Sequence, residues 1–364
     1  MSWVSPVSGR PLEPDTPHSL SDSEARWPVV DGIAYLRTGR EALVAEALAA
    51  LDRGEREAAL VLLLADQDDW WTGPTAAPEH LHRLVRERAT LTLREAMALL
   101  AWGPVADYFA HRWSDPTYLA GLALLEAHWN EPKVAFELAC GIGHYARELT
   151  RRGVACLGAD VVFAKCWVAK HWVAPDAEFV CFDAAAPWPI GKRRFDLVHC
   201  QDAFYFLPDQ ERVAERLRMA AAPGGVLALG HLHNAEVEGG ALGPAKRAEE
   251  WRALFPDATA YDEGELLAAL VEARAPCPAD WPDGPEVEAW SLVEDGGVPC
   301  ALTGGLIIPA GESTTLRFNP LLSAAGAEWP SERYEREYGQ RSTWANRTGD
   351  PVRTRQLVDL PERW

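Results

Sequence analysis

Five residues fall into a pattern with definite chemistry: Glu137, Gly141, Gly143, Asp160 and Asp183, each at or just past the end of a short apolar run. The first three lie within V-A-F-E-L-A-C-G-I-G-H-Y-A-R-E-L (Val134 to Leu149), where an apolar run meets two glycines and then an amphipathic helix. Glycines at 141 and 143 allow a tight turn and let a ligand approach the backbone, and the helix that follows offers that ligand its N-terminus. A carboxylate at 137 favours a cation there. Asp160 closes C-L-G-A-D, where an acid accepts the hydroxyls of a ribose. Asp183 ends the next run and precedes an apolar W-P-I, which suits an adenine edge held by the acid between apolar walls.

Gly141, Gly143 and Ala146 also satisfy the G-x-G-x-x-A fingerprint of dinucleotide enzymes. Glu137 weighs against that reading, because its charge would face a pyrophosphate. S-adenosylmethionine carries an ammonium and a sulfonium and no phosphate, so it suits the same turn.

Strand-length apolar runs must position these residues, and they occur at Val134 to Ala139, Ala155 to Ala159, Glu178 to Phe182, Phe195 to His199 and Val226 to Gly230. They alternate with helical segments. Such alternation specifies an α/β fold, a parallel sheet covered by helices on both faces, with ligands at the carboxyl ends of the strands. Upstream, periodicity predicts two helices in Arg40 to Asp66 broken at Gly54, then helices at Glu79 to Ala89, Leu93 to Leu100, Val105 to Trp113 and Thr117 to Trp129. The first 36 residues read as a turn-rich unit of short strands. Downstream, amphipathic stretches at Pro244 to Phe255 and Glu263 to Ala273 precede strand-like pieces at Leu302 to Pro309 and Thr314 to Asn319.

Composition narrows the function. Fifty-four acidic residues against 35 Lys plus Arg give a net charge of -19, a field that repels phosphate backbones and anionic membranes. Neither nucleic acid nor membrane is therefore an expected partner. The chain has no apolar run of membrane-spanning length and no secretory start in Met1 to Arg10, so a cytoplasmic location is expected. Seven cysteines without a C-x-x-C pair read mostly as buried free thiols.

As a set, E-L-A-C-G-I-G-H-Y, G-A-D-V-V-F-A-K, F-D-A-A-A-P-W-P, R-F-D-L-V-H-C-Q-D-A-F-Y-F-L-P-D and P-G-G-V-L-A-L resemble the class I, Rossmann-like S-adenosylmethionine-dependent methyltransferases, over Val134 to Gly230. The resemblance implies a seven-stranded sheet with a C-terminal antiparallel hairpin. It assigns Glu137 to the methionine amino group, Asp160 to the ribose and Asp183 to the adenine amine. Ala139, Val161, Ala184 and Gln201, beside these strand ends, complete the cofactor set. Glu stands for the usual Asp at 137 and Ala for Gly at 139. Phe204 to Phe206 replace the histidine-rich stretch often found before L-P-D.

A second resemblance lies in V-S-P-V-S-G-R-P-L (Val4 to Leu12) and W-P-V-V-D-G-I-A-Y-L (Trp27 to Leu36), which are similar to zinc-ribbon-like modules accompanying some methyltransferases. Ser5, Ser8 and Ser23 stand where cysteines would be. Hydroxyls do not replace thiolates as zinc ligands, so no metal is expected.

Methyl transfer requires an aligned acceptor, exclusion of water and, where the acceptor loses a proton, a base. His199, Asp202, Tyr205, His231 and His233 follow the fourth and fifth strands, with Tyr205, His231 and His199 the catalytic candidates. The His231–His233 pair also has spacing for a metal, but no carboxylate stands beside it in sequence. Tyr108 and Arg112, one helical turn apart ahead of the nucleotide fold, are candidates for a lid that reaches the cofactor. Trp167, His171 and Trp172 read as packing residues. The expected organisation is a degenerate ribbon (1–36), a helical region and lid (37–130), a cofactor-binding core (131–235) and a C-terminal extension over the acceptor site (236–364). The function expected is S-adenosylmethionine-dependent methylation of O, N or C on a small molecule. The alternatives are a fold relative with a different reaction and a cofactor-binding scaffold.

Overall fold

The computed structural model describes residues 3–237, 245–281, 284–309, 316–342 and 349–364. Short strands β1 (Trp3–Val4), β2 (Pro11–Thr16), β3 (Ser19–Ser21), β4 (Arg26–Val30) and β5 (Ile33–Tyr35) open the chain, each antiparallel to the one before. Six helices follow: α1 (Glu41–Asp52), α2 (Arg56–Ala65), α3 (Pro78–Glu87), α4 (Leu93–Leu99), α5 (Pro104–His111) and α6 (Pro116–Ala127). Their starts are set by local chemistry. Proline occupies the first turn of α3, α5 and α6, where its missing N–H is no loss, and Thr92 with Glu95 forms a capping box on α4. Asp115 caps α6 by accepting from the backbone of Thr117 and Tyr118.

The expected alternation then appears as β6 (Val134–Leu138), α7 (His144–Thr150), β7 (Ala155–Asp160), α8 (Phe163–Val168), β8 (Glu178–Cys181), β9 (Phe195–Gln201), α9 (Gln210–Ala220) and β10 (Ala221–His233). After it come α10 (Ala248–Leu254), β11 (Thr259–Asp262), α11 (Glu263–Glu272) and β12 (Ala289–Glu294). Strands β5, β8, β7, β6, β9 and β10 run parallel in that order, and β12 and β11 join antiparallel beyond β10. The order reverses between β6 and β9, and the crevice at such a switch point is where open α/β sheets bind ligands. This is the Rossmann-like α/β fold that the motifs implied.

Three details differ from expectation. The sheet has 12 strands, because β5 pairs with β8 and the N-terminal unit continues it. The C-terminal antiparallel pair is not a tight hairpin, since α11 and a loop separate β11 from β12. Leu302 to Pro309 forms a turn: the Glu126 carboxylate accepts from the backbone of Gly304 and Leu306 and from the Thr303 hydroxyl, which bends the segment away from an extended form. Of the piece predicted at Thr314 to Asn319, Leu316–Phe318 is a strand, whereas Thr314 lies outside the described residues, as does Pro244.

The aromatic residues mostly pack. Trp113, Trp167, Trp251 and Trp290 are wholly buried, and the Trp167 and His171 side chains both bond Asp31 of the N-terminal unit. Five cysteines are buried thiols, while Cys277 and Cys300 are exposed. Among the described residues no helix is long and apolar enough to cross a membrane.

Candidate active site

The turn after β6 passes through the left-handed region at Gly141 (φ 54°) and Gly143 (φ 79°), as the glycine pair requires. Ala139 also has a positive φ of 55°, a conformation that strains any residue with a Cβ. The Asp160 carboxylate, at the end of neighbouring β7, fixes this turn by accepting from the backbone N–H of Gly141 and of Val162, each at 3.0 Å. The Lys165 ammonium lies 3.6 Å from Oδ1, and Oδ2 retains a lone pair for a further donor. Glu137 is buried and accepts from the Ala146 N–H at 3.1 Å. Burial pushes its carboxyl up to about 8, against the lowering effect of that bond. Val161 presents its carbonyl toward Arg37, and half-buried Asp183 accepts from the Ala185 N–H, with Ala184 buried beside it. The strand ends thus bring the cofactor candidates of β6, β7 and β8 to one sheet edge.

Gln201 ends β9 on the same edge. Its amide lies directly over Gly230, so close that a Cβ there would overlap Oε1. Both amide atoms are buried without a partner among the described residues. His199, two residues earlier, is fully buried against the Tyr145 ring, has no partner for either nitrogen and is pushed down to about 3 by burial. It therefore stands apart from Tyr205 and His231.

The lid candidates close over this edge. Phe109 packs against the turn, its ring 3.1 Å from where a Cβ on Gly141 would lie. The Tyr108 hydroxyl donates to Asp202 at 2.7 Å, and the Arg112 guanidinium lies 4.7 Å from the Tyr108 ring centre. Arg112 is matched to two buried carboxylates, Asp202 at 3.0 Å and Asp115 at 3.3 Å, in place of the cofactor carboxylate expected for it. The C-terminal segment buttresses the lid: Tyr334 donates to the His111 carbonyl, Trp364 to that of Ala110, and Arg355 to that of Trp113.

Beyond the lid, the ends of β9 and β10 form a buried polar cluster. Asp202 and His231 both have positive φ, 54° and 56°, and Asp202 Oδ1 lies 3.8 Å from His231 Nε2. Asp202 gathers the Tyr108 and Tyr205 hydroxyls and the Arg112 guanidinium. Burial works to raise its carboxyl, but Arg112, His231 and the Tyr108 hydroxyl hold it below the ordinary range. His231 Nδ1 lies 2.8 Å from Glu263 Oε2 and its Nε2 3.0 Å from His233 Nε2. Burial lowers its proton affinity, yet Glu263 and Asp202 raise it further, so the net shift is upward. His233 is pushed down to about 3 by burial and by His231. Among the described residues, no group of side chains forms a metal site.

A comparison with protein families completes the picture. Residues 136–229 match the methyltransferase domain family. The chain thus contains a methyltransferase domain, and S-adenosylmethionine is the cofactor this domain implies. Solved structures similar to the chain include phosphoethanolamine N-methyltransferase 2 of Haemonchus contortus with S-adenosylmethionine, at 19% identity and TM-score 0.38, with 49% of each chain covered. A methyltransferase of Thiobacillus denitrificans with S-adenosylhomocysteine is 18% identical, at TM-score 0.34, over 46% of this chain and 81% of that one. A TehB-like methyltransferase of Corynebacterium glutamicum is 18% identical, at TM-score 0.36, over 55% and 100%. The chain spans about half the length of the Haemonchus protein. A comparison with curated proteins finds no match.

The residues of the domain fit that cofactor: a buried carboxyl at 137 that ionises readily only beside a cation, and an Asp160 whose Oδ2, bonded by the Gly141 N–H, keeps a lone pair for a further donor. Glu263, from the start of α11, and Arg341, which lies 3.3 Å from it, were not singled out in the sequence as site residues. Only the capping position after Asp262 hints at Glu263.

Proposed function

We propose that the chain is a cytoplasmic S-adenosylmethionine-dependent methyltransferase acting on a small-molecule acceptor. The observation that carries this is the pairing of the Gly141 to Gly143 turn with a buried Glu137 carboxyl, within the segment that matches the methyltransferase domain. When bound, the cofactor supplies a methyl group activated by a sulfonium. Glu137 would hold the methionine ammonium, Asp160 the ribose hydroxyls and Asp183 the adenine amine, with Ala139, Val161, Ala184 and Gln201 lining the same edge. Tyr108 and Arg112 close the lid and exclude water. Arg112 reaches the cofactor carboxylate only by loosening one of its two carboxylate pairs.

The acceptor belongs beside the polar cluster of Asp202, Tyr205, His231 and His233. With its carboxylate held ionised by Arg112, His231 and Tyr108, Asp202 acts as an anchor for neighbouring groups. Tyr205 and His231 orient the acceptor, and His199 supports β9 from beneath. The net charge of -19 favours a small metabolite over a nucleic acid or a membrane surface. The N-terminal unit is a ribbon that needs no metal, its former ligand positions bonded instead by Ser8 to Asp22 and Arg10 to Ser23.

Calorimetry with S-adenosylmethionine, S-adenosylhomocysteine and NADH, followed by transfer of labelled methyl to a metabolite library, tests the proposal. Saturable binding of the first two and a labelled small-molecule product are expected. Tight NADH binding with no response to S-adenosylhomocysteine would overturn it.

A further inference from the structure

We propose that Glu263, His231 and His233 form a proton relay whose outer end, Nδ1 of His233, receives the proton that a methyl acceptor gives up. The proposal deepens the methyltransferase reading and rests on it for the identity of the donor.

The geometry fixes the proton count. A carboxylate only accepts, so Glu263 Oε2 at 2.8 Å takes the Nδ1–H of His231. The two Nε2 atoms, 3.0 Å apart, share a single proton, because one must donate and the other accept. Two states follow. With His231 neutral, His233 donates from Nε2 and its Nδ1 is a lone pair. With His231 charged, His233 accepts at Nε2 and its proton sits on Nδ1. Nδ1 of His233 is buried and has no partner among the described residues, so it is the end of the chain left for a ligand.

The surroundings decide where an added proton rests. Glu263 and Asp202, the latter 3.8 Å from Nε2, draw it to His231. Arg341 opposes them from 3.3 Å beyond Glu263 and is itself paired with Glu288. Tyr205 faces both rings, at 6.1 and 4.6 Å between centroids, and remains neutral. Tyr108 and Arg112 meet this cluster at Asp202, Arg112 pairing on its far side with Asp115, and the Ser291 hydroxyl meets the His231 backbone.

The step balances as follows. An acceptor O–H or N–H gives its electron pair to the methyl carbon, and the carbon–sulfur bond leaves its pair on sulfur. The acceptor proton passes to Nδ1 of His233 while the Nε2–H of His233 moves to Nε2 of His231. The charge ends between two carboxylates, and water later takes the proton. His233 is then the catalytic residue, with His231 and Glu263 as positioning residues.

The test needs no acceptor. The full chain, labelled with nitrogen-15 histidine, is titrated by NMR, with and without S-adenosylhomocysteine. In the wild type, His233 should move its proton from Nδ1 to Nε2 at the same pH at which His231 loses its charge. Glu263→Gln should lower that midpoint by about one pH unit, a tenfold loss of proton affinity for a departed carboxylate. His18→Gln, far from the cluster, should leave it unmoved. Should Glu263→Gln fail to fold, the coupled switch in the wild type remains decisive. Independent titration of the two rings, a fixed His233 tautomer, or loss of both Nε2 signals to a bound metal would overturn the relay. An intact switch in a protein that binds no S-adenosylhomocysteine would support the relay and sink the methyltransferase reading.

Discussion

Nη1 of Arg112, in the turn that follows the lid helix, lies 3.0 Å from Oδ2 of Asp202 at the end of β9, and both side chains are buried. The pair ties the helical first third to the sheet edge. Removing one member leaves a buried charge without its counterion, which typically costs about 3–5 kcal/mol. Arg112→Met is therefore expected to lower the unfolding free energy by roughly 3 kcal/mol in urea titrations without ligand. A loss below about 1 kcal/mol would mean that the pair is open to solvent.

On the proposed function, Glu137 makes cofactor binding depend on pH. Burial holds its carboxyl near 8, above the unfolded value, so its contribution to stability is fully present below the unfolded value and is lost as pH rises through about 8. A cationic ligand reverses that preference and expels the proton. Affinity for S-adenosylhomocysteine should rise between pH 6 and 8, with proton release seen as a buffer-dependent heat in calorimetry. A heat independent of the buffer would place Glu137 away from the ligand ammonium.

Asp160 holds both the glycine turn and, on the proposed function, the ribose. Asp160→Ala should weaken cofactor binding by roughly 2–4 kcal/mol, the loss of two charge-assisted hydrogen bonds. Equilibrium dialysis measures it. A change under tenfold would confine Asp160 to its backbone partners and Lys165.

Ala139 stands where the methyltransferase pattern has glycine, and its φ of 55° carries the strain. Ala139→Gly should stabilise the fold by about 0.5–1 kcal/mol, the relief of a left-handed alanine less the entropy of a glycine. Thermal denaturation would register a higher Tm, and a lower one would show that the Ala139 methyl packs favourably.

Arg37 lies just past β5 and bonds Asp66, the Gln67 carbonyl and the Val161 carbonyl beside Asp160. Arg37→Met should lower cofactor affinity several-fold as that anchor loosens. Binding by Arg37→Lys should stay close to wild type if charge alone suffices, and equal affinity in all three proteins would separate the N-terminal unit from the site.

The placement of the residues proposed for the cofactor was legible because its signals are local. Glu137, Gly141 and Gly143 lie in one strand-turn-helix segment, and Asp160 and Asp183 close neighbouring strands, so spacing alone puts them on one edge. The polar cluster proposed for the acceptor was not legible in the same way. Glu263 reaches His231 from the start of α11, and Arg341 reaches Glu263 from the tail; no local pattern marks residues that meet only through tertiary packing. β11 and β12 escaped direct reading because Thr259–Asp262 is short and the two strands are separated by α11. The attachment of β5 to β8 joins residues far apart in sequence through backbone pairing, which leaves little trace in side-chain pattern.

That attachment also bears on how the chain avoids sticking to copies of itself. Without the N-terminal unit, β8 would be the outermost strand of a parallel sheet, offering its unpaired N–H and C=O groups as a template for any extended chain. β5 covers that edge, and beyond it β4, β3 and β2 lead outward to the two residues of β1, whose Val4 N–H is taken by the Pro189 carbonyl. A truncated chain beginning at the nucleotide fold would therefore be expected to self-associate through β8 and be poorly soluble, even with every cofactor residue retained.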